Sequence, residues 1–114
     1  MTTPAPSPYD ILARRVRELL TGNHDVREVR MFGGLSYMVD ERLAVAVRRG
    51  GELLVRTDPA EYDDLLQRGA VPAHMGDERP MGRGWLTVPY QQIQNETELA
   101  YWINVGIDSR NAPR

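Results

Sequence analysis

Arginine is the residue whose spacing in this chain could do chemistry. Arg30 stands immediately before Met31, Phe32, Gly33 and Gly34, while Arg79 and Arg83 sit in a glycine-rich stretch, residues 77–84, that leads to Trp85. A planar guanidinium binds carboxylate or phosphate through two parallel hydrogen bonds. If the two regions meet in space, Arg30, Arg79 and Arg83 form an anion-binding cluster, and Tyr37 and Trp85 supply an aromatic wall to the pocket. The competing expectation is ion pairing of arginines with Glu28, Glu41, Asp77 and Glu78. All 14 basic side chains are arginine and none is lysine, a bias attributed first to genomic composition, with a preference for the planar fork of arginine in ion pairs or anion binding as the alternative.

Other chemistries lack the groups they need. His24 and His74 each stand alone, without the paired spacing of metal ligands, and cysteine is absent. Thiol catalysis and disulfides are therefore excluded, and no metal site is expected. Ser36 follows Gly34 and Leu35 but lacks the flanks of a nucleophile elbow. Gly33 and Gly34 lead into a second apparent strand, where a phosphate-binding loop would lead into a helix. The acidic pairs Asp63/Asp64 and Glu96/Glu98 fall on expected helix starts, where the helix dipole favours negative charge. No catalytic residue and no cofactor follow from the sequence, and the chain is expected not to be an enzyme.

The elements that would position these residues are legible in outline. Ser7, Pro8 and Asp10 form a capping box with proline at the first helical position. Ile11, Leu12, Val16, Leu19 and Leu20 continue at helical spacing, and Gly22 is the expected stop. Val26–Met31, Leu35–Val39, Leu43–Val47 and Leu53–Arg56 read as short strands joined by polar turns, hence antiparallel. Asp58, Pro59 and Glu61 suggest a second capping box before a short helix carrying Tyr62, Leu65 and Leu66, ended by Gly69. Ala70–Met75 suggests a strand, residues 76–84 a loop, and Trp85–Tyr90 a late strand. Asn95 is placed to cap a last helix through Ile107. The fold class is α+β: an antiparallel sheet of about five to six strands with an N-terminal helix, a short middle helix and a C-terminal helix. One domain over residues 8–107 is expected, with a disordered tail at 1–7 and a frayed tail at 108–114.

Glycine inside apolar strand sequence weakens it unless the backbone must bend or be approached closely. Gly33 and Gly34 are therefore expected to shape a tight turn or corner against which Met31 and Phe32 pack. A length of 114 residues suits a single domain, and the net charge of −2 argues against binding nucleic acid by phosphate neutralisation. No run approaches the length of a membrane helix and no basic segment leads into an apolar one at the N-terminus. With cysteine absent, a cytoplasmic protein without membrane attachment is expected.

The segment from Arg30 to Gly34, the apolar hairpin after it, the stretch Glu52–Asp58, the helix of residues 60–69, and Arg79, Pro80 and Met81 ahead of Trp85 together resemble the N-terminal domain of TfoX/Sxy regulators. Leu99, Ala100, Tyr101 and Trp102 resemble that family's closing helix, so the resemblance covers roughly residues 8–107. It implies a compact α+β domain and a part in transcription regulation, since TfoX/Sxy proteins are associated with switching on natural-competence genes in concert with a cyclic-AMP-responsive activator. It supplies no catalytic residues. The chain reads as the N-terminal module standing alone, without the C-terminal domain of full-length members. A non-enzymatic regulatory or protein-interaction module is the leading expectation, with an unidentified protein partner and an exposed strand edge suited to a homodimer. The alternative is a small-ligand or anion-binding domain using the arginine cluster.

Overall fold

The computed structural model describes residues 6–21, 25–31, 33–75 and 79–109. Helix α1 (Pro8–Leu20) starts where the capping box places it: the Ser7 hydroxyl accepts the Asp10 amide at 3.1 Å and Asp10 reaches back to the Ser7 amide. Ser7 is thus the expected N-cap of the first element, although it also closes the stretch 1–7 expected as a tail. The stop is Thr21, which returns to extended backbone while its hydroxyl donates to the Arg17 carbonyl at 2.7 Å. Gly22 and His24 lie outside the described residues.

Strands β1 (Val26–Met31), β2 (Gly34–Val39), β3 (Arg42–Arg48) and β4 (Leu53–Arg56) follow as an antiparallel meander. The β2–β3 hairpin is two residues long, and both of them, Asp40 and Glu41, hold positive φ (52° and 68°). That is the hairpin geometry whose twist matches the flanking strands. The Asp58 carboxylate caps a short 3-10 turn, Pro59–Glu61, by accepting the Ala60 amide at 2.9 Å. The turn runs into α2 (Tyr62–Gln67).

The expected strand over residues 70–75 is broken. Ala73 is buried between β5 (Val71–Pro72), which pairs with β8 (Trp85–Val88), and β6 (His74–Met75), which pairs with β7 (Arg79–Pro80). Pro72 offers no N–H, so the ladder to β8 cannot continue through it. β7 places a short ribbon within the segment expected to be loop. The chain closes with α3 (Glu96–Asp108), capped by Asn95, whose side chain accepts the Thr97 amide at 2.7 Å. α3 continues through Asp108, and Ser109 caps it.

The main sheet runs β1-β2-β3-β4-β8-β5 with every neighbour antiparallel, an α+β architecture. One face carries Tyr37, Val39, Val45, Val47, Leu53, Val55, Leu86 and Val88 against Leu12, Val16 and Leu20 of α1 and Leu99, Trp102 and Ile103 of α3. Each such side chain contributes roughly 1.5–3 kcal/mol when fully buried. The other face is thinner: Ala46 and Leu54 are covered by Ala73, Met81 and Trp85. Arg48 ties that cover down, donating to the His74 carbonyl at 2.8 Å and touching the Met81 sulfur at 3.7 Å. Among the described residues no helix is long and apolar enough to cross a membrane.

Candidate functional site

The two glycines act differently. Met31 and Gly34 are opposite partners in the β1–β2 hairpin, and Gly33 between them takes φ +73° with open space around it. Gly34 is already strand, and a Cβ built on it would be driven into the Val47 carbonyl of β3. Gly33 therefore serves the turn and Gly34 a close approach of two backbones. Met31 is half-buried at the end of β1; Phe32 lies outside the described residues.

The expected arginine cluster does not assemble. Arg30 is exposed on β1, the first strand of the sheet, whereas Arg83 precedes β8, the fifth. Arg83 instead lies over the Tyr62 ring at 4.8 Å and pairs with Asp63 at 3.1 Å. Arg79 is exposed on the β6–β7 ribbon. The acidic pairs lie where expected, Asp63 and Asp64 in the first turn of α2 and Glu96 and Glu98 in that of α3, and there Asp63 also holds Arg83 while Glu98 holds Arg68 at 3.6 Å. Arg30 shares a shallow cavity of about 460 Å³ with Arg49, Tyr9, Ser7, Met31, Gly33 and Gly34. Arg27 pairs with Glu41 at 3.0 Å and Arg17 with Glu28 at 2.7 Å.

Tyr37 is no pocket wall. It is wholly buried, and its hydroxyl donates to the Ala13 carbonyl of α1 at 2.9 Å. Burial, reinforced by the Glu28 carboxylate, pushes its phenol well above the ordinary tyrosine range. The alternation of β2 explains the placement, since Tyr37 lies on the same face as Val39, which points at the helices.

Trp85 does stand in a cavity wall, with partners that the sequence did not single out. β3 pairs with β4 only from Val45↔Val55 to Val47↔Leu53. In the β2–β3 ladder Tyr37 faces Val45 while Met38 faces Leu43, so Ala44 is an extra, bulged residue. A bulge bends its strand, and beyond it β3 and β4 part. A cleft of about 460 Å³ opens between Arg42, Leu43 and Ala44 on one bank and Arg56, Thr57, Gly84 and Trp85 on the other. The end of α3 forms its floor: Gly106 lies so near Ala44 that an added Cβ would enter the Ala44 carbonyl.

The cleft combines apolar surface with fixed polar groups. Met38, Leu43, Ile107 and Trp85 supply the apolar part, and the Arg56 guanidinium stands 5.7 Å from the Trp85 ring centroid. Two hydroxyls at the cleft already donate to backbone: Thr57 to the Arg83 carbonyl at 3.0 Å, Ser109 to the Gly106 carbonyl at 2.6 Å. The Thr57 amide also donates to the Gly84 carbonyl at 2.8 Å, which fixes the turn that presents Trp85. Among the described residues no three His, Cys, Asp or Glu side chains gather as metal ligands would. The arrangement can hold an apolar side chain beside a carboxylate or carbonyl oxygen. A faint signal of it exists in the sequence: the apolar run in β3 (Leu43–Val47) is two residues longer than that in β4 (Leu53–Val55), so the two strands cannot pair throughout.

The family of the TfoX N-terminal domain matches residues 18–109, most of the chain. No curated protein matches significantly.

Proposed function

The chain belongs to the TfoX N-terminal domain family, and on that premise we propose that it is a non-enzymatic regulatory module that acts in the cytoplasm by docking a protein partner of the transcription machinery. The cleft at the parting of β3 and β4 carries this reading. Trp, Met and Arg are the side chains enriched at the centres of protein interfaces, and here Trp85, Met38 and Arg56 line one recess. The engaged hydroxyls of Thr57 and Ser109 suit binding better than nucleophilic chemistry. The test is capture from native lysate by the immobilised chain, run beside Arg56→Glu, whose exposed side chain can be changed without disturbing the core. A specific transcription-associated protein held by the wild type and held at least about tenfold less by the variant supports the docking reading. No partner across several salt concentrations, or equal capture by both chains, refutes it.

A second reading rests on Arg30 and Arg49. They share one cavity and carry no ion pair among the described residues. A small anion seated there would raise the melting temperature. A screen with phosphate, nucleotides and dicarboxylates at millimolar concentration that left the melting temperature unmoved would dismiss it.

A further inference from the structure

The two edges of the sheet are unequal. One edge, β5, is two residues long and ends in Pro72, a blunted strand of the kind that discourages pairing. The other, β1, has six residues, no proline, no glycine and an unbroken register with β2 from Val26↔Val39 to Met31↔Gly34. Nothing among the described residues pairs with its outer side.

The ladder shows which groups face outward. The Asp40 amide donates to the Asp25 carbonyl at 2.8 Å, so Asp25 bonds inward to its partner. In an antiparallel pair such bonding alternates along the strand. Arg27, Val29 and Met31 therefore also bond inward, and the N–H and C=O groups of Val26, Glu28 and Arg30 point away from the sheet. These unpaired donors and acceptors are a template for another strand.

The side chains specify which strand fits. Two copies of β1 related by a two-fold axis pair antiparallel, and opposite residues then share a face. Centring the axis on Glu28 puts Glu28 against itself, and centring it on Arg27 puts Arg27 against itself. Either register opposes like charges, which is unfavourable. Centring it on Val29 puts each Glu28 against the other copy's Arg30, both in outward-bonding positions. Val29 then meets Val29, and Arg27, already held by Glu41, meets Met31.

Within one chain, Glu28 holds Arg17 of α1 and Arg30 has no ion-pair partner among the described residues. Both lie on the helix-bearing face: Glu28 opposite Tyr37, Arg30 opposite Leu35 and beside Tyr9. A second copy supplies what Arg30 lacks. We propose that the protein self-associates as a two-fold dimer through β1, in the register centred on Val29, with each sheet continuing into the other. Four backbone hydrogen bonds and two ion pairs between Glu28 and Arg30 cross the interface. This surface goes beyond the docking reading and does not depend on it, because no residue of β1 lines the cleft.

The test is the mass of the full chain in solution, by sedimentation equilibrium, with charge reversals on β1. The wild type is a dimer. Glu28→Arg places arginine against Arg30, and Arg30→Glu places glutamate against Glu28, so each variant alone dissociates about tenfold or more readily. Mixed together, the two variants face each other with arginine against glutamate at both positions and form a heterodimer. Recovery in that mixture also shows that neither variant had lost its fold. A monomeric wild type at high concentration, single variants that dimerise as the wild type does, or a mixture that stays monomeric would each overturn the proposal.

Discussion

At Gly34 the main chain of β2 runs so close to β3 that any side chain would be forced into the Val47 carbonyl, while Gly33 beside it faces open space at φ +73°. Gly33→Ala therefore meets only the left-handed backbone penalty, about 1–2 kcal/mol. Gly34→Ala must move two paired strands, and a cost of about 3 kcal/mol is expected. Urea melts of the two variants check the ranking, which is the reverse of what φ alone suggests. A doubled glycine announces a backbone constraint, but sequence does not separate a turn from a close approach. Tyr37 offers a test by pH. Its phenol is neutral when protonated and is raised by burial above the ordinary 10.0. Below pH 10 both folded and unfolded chains hold the proton and the contribution is intact. Above it the unfolded chain loses the proton first, so stability falls by up to about 1.4 kcal/mol per pH unit. Tyr37→Phe should cost about 1 kcal/mol at neutral pH through the lost bond to Ala13 and flatten that alkaline slope. Melts at pH 8 to 11 measure both.

The hairpin between β2 and β3 holds two non-glycine residues at positive φ, each strained relative to glycine. Replacing Glu41 by glycine relieves one of them and loses only the exposed pair with Arg27 at 3.0 Å, worth a few tenths of a kcal/mol. A net gain of about 0.5–1 kcal/mol is expected, seen by calorimetry as a rise of about 2–5 °C. Elements with local signatures were legible: the capping box of α1 and the Asn95 cap and apolar stripe of α3 each need only neighbours along the chain, whereas Asp58 caps its turn through the Ala60 amide and not through the expected box with Glu61. What escaped depended on distant partners. The break at Ala73 follows from residues on either side pairing with different strands, β8 and β7. The bulge at Ala44 exists only as a mismatch between two ladders, so the cleft that it opens, with Arg56 and Thr57, was hidden with it.

At the scale of the whole molecule, strand order decides which residues can meet. Arg30 and Arg83 looked like partners because each lies near glycine, yet β1 and β8 stand first and fifth in the sheet. The same order makes Glu28 and Arg30 an outer rim. Their type was plain in the sequence, but being at an edge is a property of topology, which a meander of similar short strands does not announce. If β1 meets a second β1 centred on Val29, amide exchange along this strand should alternate with protein concentration. The amides of Arg27, Val29 and Met31 bond to β2 in monomer and dimer alike, so their protection should reflect the local stability of that pair. Glu28 and Arg30 have no such bond in the monomer and gain one only across the interface. Raising the concentration through the dissociation constant should slow exchange at these two amides while their odd-numbered neighbours change much less. Compaction or general stabilisation would slow all five together, and a partner bound in the cleft would leave both outward amides fast, so hydrogen exchange followed residue by residue distinguishes pairing at this edge from any other source of added stability.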